Sequence, residues 1–128
     1  MRHSGPNRMN YFFDSYAIIE IIKNNANYNN LKDIPIVTSS LNIAEVNYFL
    51  LEFVGEIEAD KIIQALNINL MEQTKEIAVE ASKFRFENKK LKLSYADCLG
   101  YCTSLKNNLL FVTGDDAFRN FEGVEFIK

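Results

Sequence analysis

Glycine and proline are scarce in this chain of 128 residues, at five and two, and no low-complexity tract or internal repeat interrupts it. With 48% hydrophobic and 24% charged residues, the composition excludes a disordered polypeptide and predicts ordinary globular packing. Long hydrophobic runs are missing as well. The longest, such as Leu109 to Val112, fall far short of membrane-spanning length, and no basic segment precedes an apolar signal-peptide core. A cytoplasmic protein with no membrane partner is expected. The two cysteines, Cys98 and Cys102, lie four apart in a helical pattern and read as small core residues, since nothing nearby completes a zinc set and a cytosolic chain has little use for a disulfide. The one histidine, His3, sits in MRHSGPNR ahead of a second methionine, Met9. Residues 1–8 are therefore expected to be an expression leader or a frayed end, with residues 9–128 a single domain built on one core. An excess of positive charge is also lacking. The formal net charge of −3 argues against a protein that coats nucleic acid through charge alone, but not against an enzyme that cleaves it.

What the chain does have is acid where apolar runs stop: Asp14 in FFDSYAII, Glu45 in SSLNIAEVNYFL, Asp97 in LSYADCLG, and Asp115 with Asp116 in FVTGDDAF. Carboxylates beside hydrophobic segments are costly to desolvate, and several brought together repel one another unless a cation neutralises them. Hard oxygen donors without a supporting set of His and Cys favour Mg²⁺ or Mn²⁺ over Zn²⁺. Each acid also has a plainer reading as a helix cap. Asp14 or Ser15 fits the start of the first helix, Asn42 with Glu45 has N-cap to N3 spacing, and Ser94 with Asp97 and Thr113 with Asp116 fit capping boxes. Capping accounts for any one of them. It does not account for an acid at nearly every strand-to-helix junction.

Periodicity supplies the elements that carry these acids. Asn10 to Phe13 reads as a strand, and Ile18, Ile19, Ile21 and Ile22 mark a helix face running out to about Tyr28. Ile36 to Thr38 is a short strand, followed by a helix from near Ser40 with Ile43, Val46, Leu50 and Val54 on one side. Gly55 ends it, and a third helix covers Glu56 to Leu66. A small strand at Ile68 to Met71 leads to a long helix from Thr74 that fades near Lys90, and Ser94 opens another, on which Asp97 shares a flank with Tyr101 and Ser104 while Leu99 and Cys102 form a more apolar side. Leu109 to Val112 reads as a strand covered on both faces, Gly114 breaks it, and Val124 to Ile127 is the last strand. Strands alternating with helices predict a parallel α/β sheet, where ligands gather at the carboxyl ends of strands. Asp14 and Asp115 fall there.

With the residues in this order, the chain resembles the PIN domain family, in particular the small VapC-type toxin ribonucleases of toxin–antitoxin systems. FFDSYAII matches the family's Asp closing the first strand, LNIAEVNYFLL its Glu early in a following helix, LSYADCLGYCTSL its Asp in a later helix, and FVTGDDAF its Thr-Gly-Asp segment. The resemblance runs from Met9 to the closing VEFIK. It implies a three-layer α/β/α sandwich around a central parallel sheet of four or five strands, and metal-assisted hydrolysis of RNA. Asp14, Glu45, Asp97 and Asp115 would be the catalytic acids, holding one or two Mg²⁺ or Mn²⁺ ions, with Asp116 as a further metal candidate. Thr113, Ser15 and Ser39 would lend polar support, and an antitoxin protein would be the partner. Rival acidic α/β families fit less well: a haloacid dehalogenase phosphatase requires a second Asp where Tyr16 stands, and a receiver domain requires a Lys where Gly114 and Asp115 stand. Gly-rich nucleotide-binding signatures are absent.

Two further segments carry alternatives. Lys83, Arg85, Lys89, Lys90 and Lys92 fall within ten positions and read either as a solvated helix end favoured by the helix dipole or, for Arg85, Lys89, Lys90 and Lys92, as RNA phosphate contacts. Tyr48, Phe49, Leu50, Leu51 and Phe53 give the second helix an apolar surface over much of its circumference. It requires cover on more than one side, from the monomer itself, a homodimer contact or a partner helix. A PIN-like protein-binding module with little catalysis, or an RNA-processing nuclease that is not a toxin, are the competing functions.

Overall fold

The structure is a computed structural model that describes residues 10–128; the expected leader at 1–8, His3 included, lies outside the described residues. In chain order the elements are β1 (Tyr11–Phe13), α1 (Ser15–Ile22), β2 (Ile36–Thr38), α2 (Ser40–Val54), α3 (Glu56–Ala65), β3 (Ile68–Leu70), α4 (Lys75–Glu87), α5 (Tyr95–Lys106), β4 (Leu110–Thr113) and β5 (Val124–Phe126), with short 3₁₀ turns at Ala26–Tyr28, Lys89–Leu91 and Asp116–Phe118.

Alternation along two paired strands sets the layers. β1 and β4 run parallel with Phe12 opposite Phe111 and Phe13 opposite Val112, and successive side chains on a strand point to opposite faces. Phe13 and Val112 join Ala17, Ile18, Val46, Leu50 and Ala59 in one core under α1, α2 and α3. Phe12 and Phe111 stack with ring centroids 6.1 Å apart and join Ala81, Cys98, Tyr101 and Phe118 in a second core under α4 and α5. Apolar residues at adjacent strand positions thus give two cores, the expected covered-both-faces pattern. Helix α5 approaches the second core closely because Gly100 has no side chain: a Cβ there would sit 3.0 Å from Phe111 Cε1 and 3.1 Å from Phe12 Cε1.

All strand pairs are parallel, as expected, but the five strands form two hydrogen-bonded ladders, β1-β4-β5 and β2-β3. Where β2 lies beside β1, the Thr38 hydroxyl takes the Phe13 carbonyl at 2.7 Å in place of a main-chain donor. Helix α1 stops at Ile22 and does not reach Tyr28. Asn24 adopts φ 64°, a left-handed geometry that ends a helix and that Asn tolerates, and the Asn25 side chain then accepts the Asn27 amide at 2.9 Å to start the next turn. Cys98 is buried as expected, Cys102 is half-buried, and both are free thiols. On helix α5, Tyr101 and Ser104, on the flank of Asp97, are buried, whereas the more apolar side of Leu99 and Cys102 is half-buried, because Tyr101 packs on Phe111 of β4.

Cover within the monomer fails for the outer side of α2. Val46 and Leu50 are buried, but Tyr48 is 64% exposed, Phe53 63% and, at the start of α3, Ile57 74%. Among the described residues, no helix is long and apolar enough to cross a membrane.

Candidate active site

Parallel pairing brings the carboxyl ends of β1 and β4 to the same edge of the sheet, so Asp14, just after β1, and Thr113, the last residue of β4, are neighbours although 99 positions apart in sequence. Asp14 leaves β1 there, and its amide donates to Val112 O at 3.0 Å. Its side chain is 3% exposed. Although Asp14 occupies the N-cap position of α1, its carboxylate makes no capping hydrogen bond; instead it accepts from Thr113 Oγ1, the last residue of β4, at 2.7 Å. The same Thr113 oxygen accepts the Asp115 amide at 3.1 Å. One hydroxyl thereby ties Asp14 to the loop that presents Asp115. Gly114 between them is buried, and a Cβ there would overlap the Tyr16 ring and the Ile127 carbonyl oxygen.

Burial raises the Asp14 pKa to about 7, reinforced by the charges of Asp97 and, less, Glu45, and opposed by the Thr113 hydroxyl and the Ser15 amide. The Asp97 pKa is raised by burial in the first place and by the charge of Asp115, against the hydrogen bonds from Ser94. These linked shifts tie the four acids into one electrostatic group: Asp14 feels Asp97 and Glu45, and Asp97 feels Asp115.

The cap readings divide. Ser94 and Asp97 form the capping box of α5, with both reciprocal bonds at 3.0 Å, so Asp97 is at once a cap and a member of the acidic group. The Asn42–Glu45 cap does not form: Ser39 is the N-cap of α2 and accepts the Asn42 amide at 3.3 Å. The Thr113–Asp116 box does not form either, because Asp115 takes the N-cap place and its Oδ1 accepts the Ala117 amide at 3.0 Å. Glu45 lies exposed on the second turn of α2, where Ser15 Oγ donates to its Oε1 at 2.6 Å. Asp116 points away from the group into ion pairs with Arg119 at 2.8 Å and Lys128 at 3.0 Å, and those partners lower its pKa. Ser39, Asn42 and Ser15 are linked by hydrogen bonds that lead to Glu45. Asn42 is the site residue that cap spacing concealed. Its place at four and eight positions before Val46 and Leu50, on the buried face, was the sequence signal for it.

Among the described residues, no three acids, histidines or cysteines stand close enough to form a ready-made metal cluster. The donor chemistry nevertheless suits a hard cation: four carboxylates linked pairwise by repulsion, one of them buried, with neither sulfur nor imidazole among the candidate donors. Mg²⁺ keeps much of its hydration, so carboxylates can engage it through water. None of the four acids lines the cavities of 460 Å³ between α4 and α5 and 470 Å³ between α2 and α3.

The basic cluster is split by the fold. Arg85, Lys89 and Lys92 line a cavity of 210 Å³ with Leu93 at the α4–α5 turn, Lys90 is exposed outside that lining, and Lys83 lines the separate 460 Å³ cavity. Arg85 Nε donates to Leu93 O at 2.8 Å and its guanidinium lies 4.4 Å from the Tyr95 ring centroid, bracing the turn that leads into Ser94 and Asp97.

A parallel α/β/α sandwich with linked acids at the carboxyl ends of its strands defines an α/β protein of the acidic-site class. The PIN domain family profile matches residues 11–124; the chain belongs to the PIN domain family. Solved structures similar to it include a toxin–antitoxin complex from Klebsiella pneumoniae, with a TM-score of 0.69 at 18% identity over 90% of this chain and 95% of that one. VapBC2 from Rickettsia felis, solved bound to a DNA fragment from its promoter, gives 0.69 at 19% over 92% and 98%. VapC20 from Mycobacterium tuberculosis, described as a Sarcin-Ricin loop cleaving toxin, gives 0.65 at 16% over 90% and 98%. At these identities the likeness shows the fold. Comparison with curated proteins gives no match.

Proposed function

We propose that the chain is a metal-dependent ribonuclease that hydrolyses RNA phosphodiester bonds, and that it is the cytoplasmic toxin of a toxin–antitoxin pair. The observation that carries this reading is Asp14, a carboxylate buried at the end of β1 and held by the Thr113 hydroxyl at the end of β4, with the charges of Asp97 and Glu45 acting on it. Asp14, Glu45, Asp97 and Asp115 are the residues to hold one or two Mg²⁺ or Mn²⁺ ions; Asp116, engaged by Arg119 and Lys128, is an outer neighbour. Such an ion, when bound, neutralises charge on the phosphate and lowers the pKa of a water. The chain's own residues orient the acids. Thr113 fixes one oxygen of Asp14, the capping box fixes Asp97, and Ser15 fixes Glu45. Arg85, Lys89 and Lys92, with Lys90 beside them, are the candidates to meet the RNA backbone.

The toxin reading draws support from membership of the PIN family and from structural neighbours that are toxin–antitoxin proteins. The exposed Tyr48, Phe53 and Ile57 favour a protein partner on α2 and α3, an antitoxin or a second copy in a homodimer, and the same observation supports a protein-binding module as the second reading. The test is incubation of the purified protein with a panel of structured RNAs in Mg²⁺ or Mn²⁺. Cleavage by the native chain, lost in EDTA and in Asp14→Asn and Asp97→Asn, is the expected result; cleavage that survives EDTA or both substitutions overturns it. Growth arrest on expression, relieved by a co-expressed neighbouring gene product, separates a toxin from an RNA-processing enzyme.

A further inference from the structure

Asn42 is completely buried, on the face of α2 that also carries Val46 and Leu50. A primary amide in that position is costly unless its donors and acceptor are satisfied. Its oxygen and one N–H are engaged in a chain of hydrogen bonds that ends at the acidic group. Ser39 Oγ donates to Asn42 Oδ1 at 2.6 Å, Asn42 Nδ2 donates to Ser15 Oγ at 2.9 Å, and Ser15 Oγ donates to Glu45 Oε1 at 2.6 Å.

Chemistry fixes the direction of every link. A carboxylate only accepts, so the single Ser15 proton lies on Glu45, and the Ser15 oxygen is then open to a donor, which only the NH₂ side of Asn42 supplies. The amide oxygen is left facing the Ser39 hydroxyl. The other acceptor within reach of Ser15, the Asn42 carbonyl, is more distant at 3.4 Å. Glu45 itself is exposed on a helix surface, where a glutamate side chain is free to change rotamer, and the charge of Asp14 repels it from the site.

We propose that Asn42 is a positioning residue for the acidic site: by donating to Ser15 it commits the Ser15 proton to Glu45 Oε1 and holds Glu45 in place to engage a divalent cation. The inference rests on the reading of Glu45 as a metal-holding acid. If Asn42 and Ser15 served only to seal the start of α2, their loss would act on the fold whether or not residue 45 were a carboxylate.

The test is Mn²⁺ titration of the full chain, followed by the paramagnetic resonance signal of the free ion, on Ser15→Ala, Ser15→Thr and Asn42→Leu, each alone and combined with Glu45→Gln, with thermal melts of every variant. Loss of an outer partner of a metal-holding group weakens metal affinity by about 10–100-fold. Ser15→Ala and Asn42→Leu are expected to weaken Mn²⁺ binding by about 10-fold on that scale, Ser15→Thr to retain it, and neither loss to appear once Glu45→Gln is present. Binding by Ser15→Ala at native strength, or an equal loss in the Glu45→Gln background, overturns the inference and leaves the site reading standing. Native Mn²⁺ binding that Glu45→Gln does not weaken overturns both. Ser15 is half-buried at the start of α1, so Ser15→Ala decides the matter even where Asn42→Leu unfolds the chain.

Discussion

At Asp14 the Thr113 hydroxyl and the Ser15 amide favour the carboxylate, while burial and the charges of Asp97 and Glu45 oppose it, and the balance leaves its pKa at about 7. Against the ordinary value of 3.8, the folded chain takes up a proton that the unfolded chain does not hold between those two values. That contribution to stability is fully present below pH 4 and is lost as the pH rises through 7. In EDTA, Asp14→Asn is therefore expected to melt above the native chain at pH 8, by a free energy on the order of a few kcal/mol at most, and to lose that advantage at pH 4. Melting curves at the two values check it, and a variant equally destabilised at both contradicts it. Thr113→Val acts in the opposite sense. It leaves the buried Asp14 oxygen and the Asp115 amide without their shared partner, for a loss of about 1–3 kcal/mol at pH 8 by denaturant unfolding. The acids were readable from the sequence because each stands where an apolar run stops. Asn42 was not, because SSLNIAE offers two cap spacings, Ser39 with Asn42 and Asn42 with Glu45, and only packing against Val46 and Leu50 decides between them.

The strand ends and helix starts hold the acids at fixed offsets, and two features should prove sensitive. Ser94 both caps α5 and holds Asp97, so Ser94→Ala is expected to destabilise by about 0.5–2 kcal/mol and to lower RNA cleavage as well, measured by melts and cleavage rates on the same preparation. Unchanged cleavage after that substitution would separate the cap from the site. Gly114→Ala places a methyl group against the Tyr16 ring and the Ile127 backbone. Since a backbone oxygen cannot swing away, a loss of about 1–3 kcal/mol by denaturant unfolding is expected. Most elements were legible in the sequence, β1 and β4 because adjacent apolar residues feed the two cores and α5 because Ser94 and Asp97 announce its start. The end of α1 was not, since Ile18 to Ile22 continue an apolar pattern toward Tyr28 while a single left-handed residue, Asn24, turns the chain. The separation of the strands into two ladders, with the Thr38 hydroxyl linking β2 to β1, is a feature that no periodicity reports.

Over the whole molecule, parallel pairing converts a separation of 99 residues between Asp14 and Thr113 into one hydrogen bond, and the helices bring Glu45 and Asp97 to the same electrostatic group. The opposite balance holds on α2 and α3, where Tyr48, Phe53 and Ile57 are left exposed. Replacing these three with serine is expected to change monomer stability by only about 0.5 kcal/mol per site, and to abolish association with a second copy or an antitoxin. Light scattering checks the former against the 14.7 kDa chain mass; a native chain that stays monomeric and binds no antitoxin contradicts it. The proposed cation site joins four acids from distant parts of the chain. The most direct measurement is an anomalous difference map, collected at the manganese edge, from crystals soaked in Mn²⁺. One or two peaks among Asp14, Glu45, Asp97 and Asp115, with none at Asp116, are predicted; manganese bound elsewhere with no peak at Asp14 contradicts the account.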